Sequence, residues 1–290
     1  MFSDEAGIRP GVLDRRAGGV ADLLDADPRL PRDLSALIAG GPDTLAVVRA
    51  AAGRAKSVPL CAVRLLAPIP RPLRNIFCVG KNYHEHAKEF HDSGFDASID
   101  EAIPEAPLLF SKATTSVIGS GEPIPAHLDY TASTDYEGEL TVVIGKGGRA
   151  ITRSRAYEHV FGYTIINDVT ARTLQHRHRQ WFLGKSLDGF CPMGPAIVTA
   201  DDIACVARLH METRVNGDLR QQALVADLIF DIPTLIETMS RAMTLEPGDL
   251  IATGTCAGVG IGFNPPRFLK KGDRVAITIE PIGTLENHVD

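Results

Sequence analysis

Cysteine is scarce in this sequence and its spacing is uninformative for cross-links. The five cysteines, Cys61, Cys78, Cys191, Cys205 and Cys256, are odd in number and include no C-x-x-C pair. A disulfide framework and a zinc ribbon are therefore not expected, and a reducing cytoplasm is. Long apolar runs are missing too. Nothing approaches the roughly 18–20 apolar residues that a membrane-spanning helix needs. Residues 1–16, MFSDEAGIRPGVLDRR, lack the apolar stretch after a basic start that marks a signal peptide. A basic excess is also absent. The net charge is −6, from 30 Lys and Arg against 36 Asp and Glu, so nucleic acid, whose phosphates need a cationic face, is not an expected partner. An anionic small molecule stays open, because charge inside a pocket can oppose the net charge.

What is present is ordinary globular composition. Over 290 residues, 44% are hydrophobic and 23% charged, enough for one large folded unit with a small appendage. Residues 1–70 are rich in Ala, Leu, Asp and Arg and read as short helices. Asp33 is a candidate cap for LSALIAGG, and Asp43 for TLAVVRAAAGRA. The stretch LLAPIPRPLRN, with three prolines, cannot continue a helix and places a boundary between residues 1–70 and 71–290. Beyond it, strands dominate. IFCVG (76–80), ELTVVIG (139–145) and GYTIIND (162–168) are short apolar runs, with a helical YEHVFG between the last two. HMETRVNGDLRQQ (210–222) reads as a hairpin turning on Asn216-Gly217. IPTLIETMSRAM (232–243) has helical period, and residues 274–289 read as a closing pair of strands. Many strands with few helices between them favour an α+β, mainly β, architecture over a doubly wound sheet.

Several clusters can carry chemistry. Asp135, Glu137 and Glu139 alternate into an apolar strand, where alternate side chains share a face roughly 6.6–7 Å apart. Three carboxylates there repel unless a cation sits among them, although a solvated strand edge gives the same pattern. Asp168 closes another apolar run and reads first as a helix cap before Val169-Thr170. Oxygen-only ligands suit magnesium, manganese or calcium. In GKNYHEHAKE (80–89), His86 and Glu89 form an i, i+3 pair if helical, and a carboxylate beside an imidazole supports a general base. His84 competes with His86, and a charged surface helix competes with both. Arg172, Gln175 and Lys185 can hold a carboxylate or an oxyanion, or simply form a solvated face. His176 and His178 make an H-x-H with no third ligand at obvious spacing. Residues 253–260, TGTCAGVG, form a glycine-rich loop whose amides can bind an anion. It has neither the phosphate-loop nor the dinucleotide spacing.

The order of these clusters resembles the fumarylacetoacetate hydrolase family. GKNYxxHAxE, PLLFSK, DYEGELTVVIG, GYTIINDVTARxxQ, WFxGKSxD, VNG and LxPGDLIxTGTxxGVG follow one another over roughly residues 72–288. The resemblance implies a β-sandwich roll with a small N-terminal domain, usually as a homodimer. It implies Glu137, Glu139 and Asp168 as ligands of a divalent cation, Mg2+ or Mn2+ with Ca2+ as a further option, and Asp135 as a support behind them. It implies His86 and Glu89 as a lid dyad, so His86 rather than His84, with Lys185 as a catalytic partner. Arg172, Gln175 and Thr255 would bind substrate. The sequence departs from the family at Cys256, where proline is common, and in the acidic stretch HDSGFDASIDEAIPEAP after the lid helix. The implied activity is metal-dependent hydrolysis of a C–C bond in a small acylpyruvate-like diketo acid. The alternative is decarboxylation, isomerisation or lysis of a 2-oxo or 2-hydroxydienoic acid through an enolate. Residues 82–107 are expected to form a mobile lid.

Overall fold

The structure, a computed structural model, describes residues 1–14, 18–96 and 103–290. Part of the expected lid, residues 97–102, lies outside the described residues.

The first segment is not the run of short helices that its composition suggests. It opens with strands β1 (Phe2–Asp4), β2 (Gly7–Arg9), β3 (Gly11–Asp14) and β4 (Gly19–Asp22). Helices α1 (Leu23–Ala26), α2 (Leu34–Ala39) and α3 (Gly41–Ala52) follow, then β5 (Ser57–Pro59) and β6 (Arg64–Leu65). The strands assemble as two three-stranded sheets, β2-β1-β6 and β3-β4-β5. Strands this short hold too few alternations for their period to register in sequence. Asp33 caps α2 as expected, its carboxylate accepting from the Ala36 N–H at 2.8 Å. Asp43 does not cap α3. That helix starts two residues earlier, with Gly40 as its cap and proline in its first turn, where a missing N–H costs nothing.

The rest of the chain runs through β7 (Ile76–Gly80), α4 (His84–Asp92), β8 (Leu108–Lys112), β9 (Val117–Ile118), β10 (Thr134–Asp135), β11 (Gly138–Ile144) and β12 (Val160–Asn167). It continues with β13 (Thr170–Ala171), α5 (Arg172–His178), α6 (Phe182–Lys185), β14 (Cys191–Thr199), β15 (His210–Val215) and β16 (Asp218–Leu224). It ends with α7 (Ile232–Ala242), β17 (Leu250–Ala252), β18 (Arg274–Ile279) and β19 (Gly283–His288). The YEHVFG stretch is divided. A 3-10 helix over Arg153–His159 ends where β12 begins.

A seven-stranded sheet, β8-β7-β17-β11-β12-β14-β9, packs against a four-stranded one, β16-β15-β18-β19. The fold is α+β, with sheets forming its body. The hairpin of β15 and β16 turns on Asn216 and Gly217, both at positive φ (54° and 87°), as that turn requires. β11 is buried at every position, because both of its faces are covered. Leu140, Val142 and Ile144 share a core with Met211, Ile277 and Ile279 of the second sheet and with Leu235 and Met239 of α7. Val143 packs on the other side with Ile76, Leu250 and Ile38 of α2. No helix among the described residues is long and apolar enough to cross a membrane.

Ile38 is fully buried and joins the N-terminal segment to the face of the main sheet. Truncation there removes side-chain contacts and leaves a cavity that the sheet cannot collapse to fill. Ile38→Ala is expected to cost about 2–5 kcal/mol of stability, read by urea unfolding. A loss under about 1 kcal/mol would show that α2 is not seated in this core.

Candidate active site

Strand pairing, not strand alternation, assembles the acidic cluster. Asp135 lies on β10 and pairs with Thr170 of β13, whereas Gly138 and Glu139 lie on β11 and pair with β12. The alternating run is therefore broken at Tyr136-Glu137. In that break the Glu137 N–H donates to Asn167 Oδ1 (3.0 Å), and the Asp168 N–H donates to the Glu137 carbonyl (2.8 Å). These two bonds set Glu137 beside Asp168. One carboxylate oxygen each from Glu137, Glu139 and Asp168 then lies within 4.8 Å of the others, all three buried. Asp168 is not a helix cap, since α5 starts at Arg172 with Ala171 as its cap residue.

Buried carboxylates must be paired. Lys185 Nζ donates to Glu137 Oε2 (2.7 Å) and to Asp168 Oδ2 (2.8 Å). Lys112 Nζ donates to Asp168 Oδ1 (2.6 Å) and to the Val169 carbonyl (3.0 Å). Arg172 holds Asp135 through Nε (2.9 Å) and Glu137 through Nη1 (2.6 Å). Four carboxylates thus face three cations. The shortfall falls on Glu139, which accepts from the Gly254 N–H (2.8 Å) and has no cation in ion-pair range among the described residues. Burial, with Asp168 and Glu137 nearby, pushes its carboxyl well above the usual range. Burial pushes Glu137 up as well, but Lys185 and Arg172 outweigh it and hold that carboxyl at about 2. A buried all-oxygen donor set one positive charge short fits a hard divalent cation.

Helix α4, where the lid was expected, carries His86 and Glu89. His86 Nδ1 and Glu89 Oε2 are 3.1 Å apart, and Glu89 Oε1 accepts from the Gly258 N–H (2.9 Å). Gly258 has φ +104°, and a Cβ there would collide with the Arg220 carbonyl. His84, by contrast, is exposed. The amides of the glycine-rich loop do bind anions, but the anions are the chain's own carboxylates. Besides Glu139 and Glu89, Asp135 accepts from the Gly260 (2.7 Å) and Ile261 (3.1 Å) N–H groups.

His86, Arg172, Gln175, Lys185 and Thr255 line one cavity with Glu137, walled by Phe90, Phe110 and Trp181. Its free volume is about 10 Å3, room for about one water molecule. Arg172 is 1% exposed, and its Nη2 is buried with no hydrogen-bond partner among the described residues. A buried donor without a partner calls for an explanation, and a ligand, water or ion would supply one. The Thr255 hydroxyl is already committed, donating to the Gly138 carbonyl (2.9 Å) and accepting from Gln221 Nε2 (2.7 Å). Cys256 is buried, which pushes its thiol up to about 12, so it offers no thiolate. His176 lies near the Phe95 carbonyl (3.3 Å), not among the carboxylates. Lys112 and Gln221 carry no role in the sequence reading. Lys112 stands in the PLLFSK motif, and its one local signal is a charge closing an apolar run. A larger cavity, about 380 Å3 and mostly apolar, lies between the N-terminal segment and β14. Its lining contains none of the clustered carboxylates.

A family model described as fumarylacetoacetate (FAA) hydrolase C-terminal matches residues 75–290. Oxaloacetate tautomerase YisK of Bacillus subtilis (strain 168) is 56% identical over 230 residues, covering 79% of this chain and 74% of that protein. Among solved structures, a fumarylacetoacetate hydrolase from psychrophilic Exiguobacterium antarcticum superposes with a TM-score of 0.84 at 45% identity, over 100% of this chain and 97% of its own. Maleylpyruvate hydrolase from Sphingobium sp. SYK-6, solved with manganese(II) ion and pyruvate, gives 0.78 at 33% identity, over 99% and 97%.

The charge shortfall at Glu139 predicts how the cluster responds to its loss. Glu139→Gln keeps the shape and the Gly254 bond but removes the charge. Affinity for magnesium or manganese should fall by more than the roughly 10–100-fold typical of residues that merely support a ligand. Calorimetric titration of metal-depleted protein measures this, and unchanged affinity would remove Glu139 from the ligand set.

Proposed function

The chain belongs to the fumarylacetoacetate hydrolase family of enzymes, and from that premise we propose that it interconverts the keto and enol forms of a small 2-oxo dicarboxylic acid of the oxaloacetate type. The observation that carries this reading is the His86–Glu89 pair, its imidazole buried and lining the same small cavity as Lys185 and the spare Arg172 donor. Similarity to an oxaloacetate tautomerase supports the same reaction class.

Glu137, Glu139 and Asp168 would hold a divalent cation, Mg2+ or Mn2+, which when bound polarises the 2-oxo group. The residues do the rest. Arg172 Nη2 and the Gln175 amide fix the carboxylate beside the oxo group. Glu89 holds the Nδ1 side of His86, which leaves Nε2 as the basic nitrogen. His86 takes a proton from the carbon next to the oxo group. The released pair forms the C=C bond, and the carbonyl pair moves onto oxygen. Lys185 has three N–H donors, two of them on Glu137 and Asp168, and its third steadies that oxygen. Return of the proton to the oxygen gives the enol, and the reverse sequence regenerates the ketone. Tight walls keep bulk water away from the enolate.

The room for about one water beside His86 favours a second reading, hydrolysis of an acylpyruvate C–C bond. There His86 would draw a proton from water, and the hydroxide would attack the distal carbonyl. Arg172, Gln175 and Lys185 would carry the oxyanion. Product analysis separates the readings. Keto–enol exchange leaves the mass unchanged, hydrolysis gives a second carboxylic acid, and decarboxylation gives carbon dioxide. A homodimer is part of this proposal, and sedimentation at twice the chain mass checks it.

His86 is a base and not a metal ligand in this scheme, so chemistry and metal binding should separate. His86→Ala is expected to slow keto–enol exchange by about 10²–10⁴-fold with nearly unchanged metal affinity. Enol absorbance reports the first quantity and calorimetry the second. Full exchange activity in His86→Ala would rule out this assignment of the base.

A further inference from the structure

Three cations line the site cavity: Lys81, Arg172 and Lys185. Arg172 and Lys185 are tied to the carboxylates of the floor, Asp135, Glu137 and Asp168. Lys81 is placed differently. It follows β7 at a positive φ of 52°, and its buried ammonium stands 5.8 Å from the centroid of the Phe90 ring. Among the described residues its carboxylate partner is Asp96, which comes from the segment just beyond the lid helix and whose side chain is 3% exposed. That segment is held by the Phe95 carbonyl near His176 and by edge contacts of the Phe95 ring with Phe268 and His176. Of the three cavity cations, Lys81 alone is neutralised by the lid segment.

We propose that Lys81 determines specificity by receiving the second carboxylate of a dicarboxylic substrate, and that Asp96 is its intramolecular stand-in. The inference rests on the keto–enol reading and assigns a residue to the distal half of that substrate. The free donors of the floor cations are already assigned in that reading, Arg172 Nη2 to the carboxylate beside the oxo group and the third N–H of Lys185 to its oxygen. A buried ammonium needs an anion, and in the closed protein Asp96 supplies one from the lid side. A dicarboxylate, which the cavity of about 10 Å3 admits only once the lid segment has moved off Lys81, brings the same group and takes the place of Asp96. An acid with an uncharged tail cannot make that exchange and leaves Lys81 on Asp96. The two residues therefore act in opposite senses, one attracting the second carboxylate and the other competing with it.

Trp181, the single tryptophan, lines the cavity, so binding can be read by its fluorescence without turnover. The probes are malate and lactate, which share a 2-hydroxy acid end and differ by one carboxylate. Each is titrated into the magnesium-loaded protein. The wild type should bind malate the more tightly. Lys81→Met should weaken malate by about 10–100-fold, the worth of one charge-assisted bond, and change lactate by less than about 2-fold. Asp96→Asn should tighten malate by about 3–10-fold, because it removes a competitor that keeps Lys81 occupied. It retains the side-chain size, so it reports even if Lys81→Met fails to fold. A contact that only pins the lid would shift both variants in the same direction and affect both acids alike. That result overturns the proposal. So does an unchanged malate affinity in either folded variant, or a wild type that binds malate no better than lactate. Absence of keto–enol exchange would instead overturn the reaction reading, with these affinities measured independently of it.

Discussion

Asp135, Glu137, Glu139 and Asp168 are buried together with, among the described residues, only Lys112, Arg172 and Lys185 to neutralise them, and this imbalance governs the arrangement around it. Two unit charges about 4 Å apart interact by about 4 kcal/mol at an effective dielectric constant of 20. The cluster therefore needs every cation it has and one more. That need explains why two lysines and an arginine are buried almost completely, which is costly for such side chains unless they are paired. It also explains why the missing charge is felt at Glu139, whose protein partner is a backbone amide.

The same charges connect helix α4 to the carboxylate cluster. The glycine-rich loop donates to Glu139 at one end, to Glu89 in its middle and to Asp135 further on. Asp135 holds Arg172, and Arg172 holds Glu137. The lid dyad is thus oriented by a loop that also positions the cluster. Only glycine fits this loop at position 258, where the backbone bends into positive φ against the Arg220 carbonyl. Helix α4 sets His86 in the same cavity lining as Glu137 and Phe90 against Trp181, with ring centroids 5.7 Å apart.

The sequence was legible where periodicity or local chemistry is strong. The runs IFCVG, ELTVVIG and GYTIIND are apolar because both of their faces are covered, so they stand out without tertiary knowledge. Asn216-Gly217 and the Asp33 cap are decided by residues within a few positions of each other. The strands of residues 2–22 were illegible, since stretches of three or four residues leave no period to read. Lys112 was hidden for a different reason. Its partner Asp168 is 56 positions away, and no local pattern tells a buried lysine from an exposed one. Thr255 stood in the right place, but its hydroxyl is engaged by Gln221, whose hairpin is legible while its contact 34 positions away is not.

By itself the sequence determined which chemical groups are available. It held carboxylates without soft ligands, a histidine three positions before a glutamate, and a glycine-rich turn after a strand. It also fixed the local elements that carry them. The tertiary structure decided which groups meet. Glu137 and Asp168 become neighbours through the pairing of β11 with β12 and the two bonds beyond its end. Asp135 turns to Arg172 because β10 pairs with β13, and Lys81 at the end of β7 meets Asp96 beyond α4. Proximity across a sheet depends on register and burial, which arise from the whole core at once, whereas side-chain chemistry belongs to each residue alone.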